Sequence, residues 1–154
     1  MFPGYSVSSY GSVRNDDTGH HMAVCMNQRG IPHVGLTRNR VQHKRALSIL
    51  VAEAFIPQPN LEYDTPINLD GDRSNNSADN LLWRPRWHAV KYFHQFQQSS
   101  MCISRPVENI DTGELFQNSW HATTALGVLD RDIAFSIMSG SRVRIIGQRF
   151  RVLY

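Results

Sequence analysis

Several kinds of residue and segment are scarce in this sequence, and each scarcity excludes a class of protein. The 154 residues include only two cysteines, Cys25 and Cys102, which are far apart. They cannot form the paired ligands of a cysteine zinc ribbon, and they predict reduced thiols in a reducing compartment. No apolar run approaches the ~20 residues that span a bilayer, so no membrane partner is expected. The first residues do not resemble a secretion signal, so we expect a cytoplasmic protein.

Charge is present in moderation but is unevenly distributed. The net charge is +3 and the pI is about 9.1. Basic residues predominate in residues 1–52, 84–105 and 131–154, whereas acidic residues predominate in the two segments between them. Such blocks indicate basic patches around a more acidic centre and favour a polyanionic partner, although chance clustering on a solvated surface gives the same pattern.

The spacing of apolar residues changes twice along the first two thirds of the chain. Residues 5–40 mix short alternating runs with turn residues, which predicts a small antiparallel sheet. From 46 to 55 the apolar residues follow a helical period, and Pro57 predicts the end of that helix. Short strands are expected at 66–69 and 81–83, with Trp83 in the core. A second helix is expected from Arg86, after a proline suited to a first turn.

The last third predicts a separate small module. Gln97-Gln98-Ser99-Ser100 has the composition of a linker. Asp111-Thr112-Gly113 is a hairpin signal, and two short helices are expected after it. In the second of these the apolar spacing places Ile133, Ala134, Ile137 and Met138 inward, and Asp132 and Ser136 outward. The predicted domains are therefore 1–45, 46–97, a linker at 98–105, and 106–154.

Three motifs together resemble a known family. The run LVAEAFIP at 50–57 resembles the segment that precedes the active site in bacteriophage HNH homing endonucleases, which are His-Me finger nucleases. LDGDRSNN at 69–76, followed by DNLLW at 79–83, is similar to their β-loop-β core. Residues 5–15 and 111–116 resemble flanking modules of that family. The resemblance implies an α+β protein with a ββα-metal core, a β-rich N-terminal module, and a β-hairpin plus helix-turn-helix-like C-terminal module.

The resemblance also implies a catalytic site, which this sequence matches unevenly. In the family a histidine at the end of the first strand takes a proton from water, and a divalent cation stabilises the scissile phosphate. The histidine position falls on Asn68 and the loop asparagine on Asn76. The usual metal-ligand positions fall on Ile67 and Ala89. An amide cannot take a proton near neutral pH, so metal-dependent cleavage is doubtful from the sequence alone.

A rebuilt metal site is the alternative that the residues leave open. Asp70, Asp72 and His88 are the expected ligands of Mg²⁺ or another divalent metal if the protein is active; otherwise no cofactor is expected. The loop also begins like a calcium loop. Asn75 replaces the glycine expected at its sixth position, however, and Leu81 replaces the acid at its twelfth, so a calcium site is disfavoured. A third interpretation is a turn-rich loop whose polar side chains bond their own backbone.

Double-stranded DNA is the expected partner, and arginine suits phosphate because its planar fork binds two oxygens. Candidate contacts lie at a turn before the first helix, around the core helix, and in the C-terminal module: Arg38, Arg40, Lys44, Arg45, Arg84, Arg86, Lys91, Trp120, Thr123, Arg131, Arg142 and Arg144. The second C-terminal helix would be the reading element of a helix-turn-helix.

The sequence therefore predicts a DNA-binding protein of the HNH endonuclease type, in which cleavage or nicking depends on whether the active site was rebuilt. One rival is a non-catalytic DNA-binding regulator. A second is a module that binds or inhibits a protein partner through the old nuclease surface, and weak salt dependence of DNA binding would favour it. The oligomeric state is left open.

Overall fold

The computed structural model describes residues 2–98 and 102–154. The chain divides into two compact units, Met1–Ala89 and Val90–Tyr154. Each unit has its own cluster of buried apolar side chains. Among the described residues, no helix is long and apolar enough to cross a membrane.

Small antiparallel sheets begin the first unit. Strands β1 (Tyr5–Val7) and β2 (Val13–Asn15) form a hairpin, and β3 (Val24–Met26), β4 (Pro32–Arg38) and β5 (Val41–Ala46) form a three-stranded sheet in that order. Along β4, Pro32, Val34 and Leu36 are buried and alternate with less buried residues. This alternation is the period of a strand with one face on a core, so the predicted N-terminal sheet is confirmed.

Helix α1 (Leu47–Phe55) follows β5 directly. It buries Leu47, Leu50, Val51 and Ala52, which recur at helical spacing. Three of these residues share one cluster with residues of β2 and β4 and with Leu81. The N-terminal sheet and this helix therefore pack around one core within the first unit.

A strand-loop-strand-helix segment completes the first unit and continues into the second. Strand β6 (Thr65–Asn68) pairs antiparallel with β7 (Leu81–Arg84), with Asn68 opposite Leu81. Helix α2 (Arg86–Gln95) begins after Pro85 and crosses the boundary between the units. Trp83 is buried as predicted, and its indole Nε1 donates to Ile56 O at 2.9 Å. The predicted ββα arrangement is thus confirmed.

The second unit combines a three-stranded sheet with two short helices. The strands are β8 (Val107–Asn109), β9 (Leu115–Phe116) and β10 (Phe150–Val152), in the order β10-β8-β9. Helix α3 (Ser119–Leu126) is capped by Asn118, whose Oδ1 accepts from His121 N at 2.7 Å. Gly127, with φ of 64°, ends α3 and starts the short turn into α4 (Asp130–Ser139). The two predicted short helices are therefore present and joined by a short turn, and their role as a helix-turn-helix remains a prediction.

The predicted faces of α4 were wrong at two positions. Ser136, expected outward, is buried; its Oγ donates to Ser141 O at 2.6 Å and accepts from Phe150 N at 3.1 Å. Met138, expected inward, is 82% exposed, and Phe135 is 61% exposed. The Ser136 hydroxyl bonds backbone groups outside its own helix. The spacing of apolar residues within a ten-residue helix does not reveal such partners, so the prediction failed.

The predicted domain boundaries remain predictions. Residues 99–101 of the predicted linker lie outside the described residues. The boundary between the two compact units, after Ala89, falls within α2, and the predicted boundary at 45/46 falls inside the first unit.

In the second unit, the carboxylate of Asp111 accepts hydrogen bonds from two arginines. Its carboxylate accepts from Arg149 N at 2.8 Å, and from the guanidinium groups of Arg149 and Arg142 at 3.3 and 3.2 Å. These hydrogen bonds, the backbone one first, hold the pKa of Asp111 below its usual value of 3.8. Because the folded pKa is depressed, this stabilisation is present above the unfolded pKa and is lost as pH falls through the folded one.

Asp111→Asn is therefore expected to lower the melting temperature at pH 7, by an amount that shrinks as the pH falls below 3.8, the usual pKa of an aspartate, and through the lowered pKa of the folded protein. Thermal unfolding of both proteins followed by circular dichroism between pH 2.5 and pH 7 measures the difference. A deficit of constant size over that range would show that the charge of Asp111 is irrelevant.

Candidate active site and nucleic-acid interface

The end of β6 and the loop after it bring two asparagines together in a buried position. Asn68 and Asn76 are each only 3% exposed. The Asn68 amide Nδ2 donates to Asn75 O at 2.8 Å and to Asn76 Oδ1 at 3.1 Å. Asn76 Nδ2 in turn donates to Arg73 O at 3.0 Å. The structure thus places both predicted catalytic positions in one network, in which Asn68 fastens the loop to the strand.

The carboxylates of the two loop aspartates accept hydrogen bonds from residues of the loop itself. Asp70 accepts from Asn75 Nδ2 at 2.8 Å, and from Asn80 Nδ2 and Asp72 N at 2.9 Å each. Asp72 Oδ1 accepts from Ser74 Oγ at 2.6 Å and from Ser74 N at 2.9 Å. These bonds from Ser74 lower the pKa of Asp72, which stays ionised at neutral pH. Both carboxylates therefore act as turn-forming acceptors, as the third sequence interpretation expected.

The residues at this site do not fit the divalent cation that the family resemblance implies. Ile67 and Ala89 are apolar and buried, so neither offers a donor atom. Within residues 2–98 and 102–154, no three His, Cys, Asp or Glu side chains are grouped so that they could hold a metal ion. The expected ligand set of Asp70, Asp72 and His88 is therefore not assembled. His88 is 1% exposed and packs edge-on against Trp87, with 5.7 Å between ring centroids.

The first hairpin supports the loop, a contact that the sequence did not reveal. Ala78 N donates to Ser9 O at 2.8 Å. Gly11, with φ of 84°, approaches Asn76 so closely that a Cβ on it would lie 3.4 Å from Asn76 O. Glycine is favoured at position 11 by this left-handed backbone, whereas the added Cβ would make only an ordinary contact with Asn76. The loop also carries Arg73, a cation beside the site that the sequence analysis did not single out; its pKa is lowered by burial.

The predicted basic cluster lies on a hairpin and not, as expected, at a turn before the helix. Residues 41–46 form β5, and the β4–β5 connection is a two-residue turn, Asn39-Arg40, with φ of 52° and 63°. Both values are positive, as a type I′ turn requires. Arg38 and Arg40 are exposed at this tip, which we call the basic hairpin tip.

The other two members of that cluster lie on opposite faces of β5. Lys44 pairs with Gly35, and Arg45 pairs with Val34 on the face that carries the core residues of β4. The Arg45 guanidinium lies over the Phe2 ring, 5.1 Å from its centroid. The structure therefore joins Arg38 and Arg40 at one tip and separates Lys44 from Arg45.

The DNA contacts predicted in and beside helix α2 differ in their exposure. Arg84 is 9% exposed and donates through Nη1 to Trp83 O at 3.0 Å, so it belongs to the fold and does not present its guanidinium to a phosphate. Arg86 and Lys91 are exposed.

In the second unit most of the residues predicted to contact DNA are buried or interact with other residues of the protein. Thr123 is fully buried, which corrects its assignment to a DNA surface. Trp120 packs against Phe96, with 5.1 Å between ring centroids. Arg131 lies 3.9 Å from an Asp132 carboxylate oxygen, and Arg142 bonds Asp111. Arg144 is exposed. This unit therefore offers a weaker basic surface than the sequence suggested.

Comparison with known proteins adds sequence and fold relationships. No family model matches the chain. An uncharacterized HNH endonuclease of Acanthamoeba polyphaga mimivirus is 29% identical over 92 residues, which cover 60% of this chain but only 27% of that protein. The match thus spans about a quarter of the length of that relative.

A solved structure gives the more complete comparison. The HNH homing endonuclease I-HmuI, whose structure concerns DNA binding and cleavage, matches 98% of this chain and 92% of its own with a TM-score of 0.56 at 19% identity. That likeness establishes the α+β fold with its ββα core. The chain is thus similar in sequence to an HNH endonuclease over part of its length and similar in fold to an HNH homing endonuclease.

Proposed function

We propose that this protein binds double-stranded DNA through an HNH scaffold and does not cut it. The claim that the protein does not cut DNA rests on Asn68. This residue occupies the position of the proton-accepting histidine in the HNH motif. Its Nδ2 is a donor to Asn75 O and Asn76 Oδ1, and an amide cannot accept a proton at neutral pH. Loss of a positioned base costs about 10²–10⁴ in rate by itself.

The binding half of the proposal is supported by the arrangement of the exposed cations. The tip residues Arg38 and Arg40 are held by a two-residue turn of fixed geometry. Lys44, Arg45 and Arg86 add exposed charge within the same unit. Preorganised arginines lose less conformational freedom when they grip a phosphate, so this unit suits the backbone of a duplex.

A salt titration tests the binding half. The affinity for a fluorescein-labelled duplex, measured by anisotropy, is expected to fall linearly on a log–log plot against salt concentration. Four phosphate contacts, from Arg38, Arg40, Arg86 and one of the two oppositely facing residues Lys44 and Arg45, predict a slope of about −3.6. A slope near zero would contradict the proposal and would favour the protein-interaction alternative.

The finer predictions from the sequence stand beside this proposal. A bacteriophage source, a cytoplasmic location and DNA reading by the second helix of the C-terminal pair remain predictions. Magnesium was expected only for an active enzyme, and the proposal needs none. Because Mg²⁺ itself competes for DNA phosphates, the test compares titrations with and without EDTA at matched ionic strength and no added metal, and the same affinity is expected.

A further inference from the structure

The sheet of β3, β4 and β5 has one face on the core and the other toward solvent. Val34 and Leu36 point into the core, so the residues of β4 that alternate with them, and the β5 residues opposite, share the other face. We call it the outer ribbon face; it consists of His33, Gly35, Thr37, Gln42, Lys44 and Ala46. All six are polar or small, so an apolar partner would bury little there.

The charge of this segment favours a polyanion. Residues 18–52, which contain the whole sheet, include five lysines and arginines and no aspartate or glutamate. In the part of the chain that the structure describes, no ion pair engages Arg38, Arg40 or Lys44. The sheet therefore offers uncompensated cations, both at the basic hairpin tip and on the outer ribbon face.

The dimensions of the β4–β5 ribbon match the major groove of a DNA duplex. The two strands have seven and six residues and a tight connecting turn, which gives a ribbon about 20 Å long. The major groove of B-DNA is about 12 Å wide and admits two paired strands. The major groove of an RNA duplex is too narrow for side chains to reach the bases, so DNA is the better fit.

Gly35 leaves a gap in the outer ribbon face that one side chain fills. A Cβ added at Gly35 would lie 2.5 Å from Gln42 Nε2 and 3.1 Å from Gln42 Cδ, so the Gln42 side chain lies across this position. The backbone of Gly35 does not have a positive φ, so its conformation does not call for glycine. Glycine within a strand commonly marks a place that a ligand approaches closely.

The carboxamide of Gln42 is available for such a ligand. The side chain is exposed, and within residues 2–98 and 102–154 no hydrogen bond engages its oxygen or nitrogen. A glutamine side chain can donate to N7 and accept from N6 of the wrong or the right base only where both edges are presented, and adenine presents N6 and N7 together in the major groove. The chemistry of Gln42 therefore matches an adenine.

We infer that Gln42 is a specificity-determining residue, which recognises an adenine in the major groove from its place over Gly35. This inference rests on the proposed binding of duplex DNA and adds a sequence preference to it. The arginines of the basic hairpin tip hold the phosphates, which carry no sequence information, whereas Gln42 contacts a base edge.

The test selects duplexes bound by the full chain from a library with a randomised central segment and sequences them. The wild type is expected to enrich adenine at one position. Gln42→Ala is expected to lose that enrichment alone, and Gln42→Glu to replace it with cytosine, because a carboxylate accepts from the cytosine N4 amine. Gln28→Ala, which removes an exposed glutamine from the β3–β4 turn, is the matched control and is expected to keep the wild-type preference.

A modified base isolates the proposed contact. Replacing the selected adenine with 7-deaza-adenine removes the N7 acceptor and leaves base pairing intact. By anisotropy, the wild type is expected to bind this duplex about 5-fold more weakly, and Gln42→Ala to bind both duplexes equally. Gly35→Ala is expected to behave like Gln42→Ala, because its Cβ displaces the carboxamide, while its free energy of unfolding stays equal or rises.

Three results would overturn the inference: the same base preferences in the wild type and Gln42→Ala, an equal affinity of the wild type for the two adenine duplexes, or an RNA duplex bound as tightly as DNA. Affinity for a random duplex and its salt slope are measured beside them. Salt-dependent binding without base preference contradicts this inference alone, whereas the absence of salt-dependent binding contradicts the proposed function.

Discussion

Replacing both arginines of the basic hairpin tip, in Arg38→Gln/Arg40→Gln, is expected to weaken duplex DNA binding about 100-fold at low salt. The reason is that each charge-assisted hydrogen bond to a phosphate contributes about 1.5–3 kcal/mol, which corresponds to at least about 10-fold per residue. The salt slope is expected to become shallower by about 2, because two counterion-releasing contacts are removed. Anisotropy titrations at several salt concentrations measure both quantities.

The matched control is Arg29→Gln, which removes an exposed arginine from the turn at the opposite end of β4. Its affinity is expected to stay within twofold of wild type. Because the control removes one charge and the tip variant two, a loss from the control half as large on a logarithmic scale would show that overall charge alone, and not the hairpin tip, determines binding.

A single substitution at the tip separates binding from folding. Arg40 has φ of 63°, a left-handed conformation that costs an ordinary residue about 1–2 kcal/mol and costs glycine little. Arg40→Gly is therefore expected to keep or raise the free energy of unfolding, by up to about 1 kcal/mol, while DNA affinity falls about 10-fold. A fall in both quantities would mean that Arg40 acts through the fold.

The second large effect is expected at the loop asparagine. Asn76→Ala removes the acceptor of one Asn68 Nδ2 bond, which is buried, and the donor to Arg73 O, in a bond that is partly buried. Leaving buried polar groups unsatisfied costs about 1–3 kcal/mol, so the free energy of unfolding is expected to fall by about 2 kcal/mol. Urea denaturation followed by tryptophan fluorescence measures this change.

The neighbouring Asn75 provides the control for that experiment. Its side chain is exposed and bonds Asp70, and its contact with Asn68 uses the backbone oxygen, which any residue retains. Asn75→Ala is expected to cost less than about 1 kcal/mol. If the two alanine variants were equally destabilised, the buried Asn68–Asn76 pair would not be what holds the loop.

The elements that could be predicted from the sequence are those with a strong local signal. Helix α1 follows from apolar residues at helical spacing before Pro57, and the β6–β7 hairpin follows from the polar loop between two short apolar runs. The burial of Trp83 was also predicted, because a large aromatic side chain in a short strand usually packs in the core.

The elements that were missed depend on contacts distant in the sequence. Strand β5 reads VQHKRA and shows no apolar alternation, so its strand conformation comes from pairing with β4. The approach of Gly11 to Asn76 joins residues far apart in the chain, with no signal in either segment. Ser136 was placed outward because its bonds to Ser141 and Phe150 are tertiary.

At the candidate site, too, some features could be predicted from the sequence and others could not. The motif located Asn68 and Asn76 together in advance, because a family motif encodes a geometry. The expected metal ligands Asp70, Asp72 and His88 were chosen for donor chemistry, and in the fold the aspartates turn into their own loop while the histidine is buried. Nearby residues in a sequence do not necessarily point toward one another.

The most direct test of the central claim is incubation of the pure protein with supercoiled plasmid and Mg²⁺ or Mn²⁺, with binding followed by gel shift in the same samples. The account predicts that the plasmid is bound but stays supercoiled, and that Asn68→His is equally silent because Ile67 and Ala89 still offer no metal ligand. Nicked or linear plasmid produced by the wild type, abolished by EDTA and absent with Asn68→Ala, would contradict it.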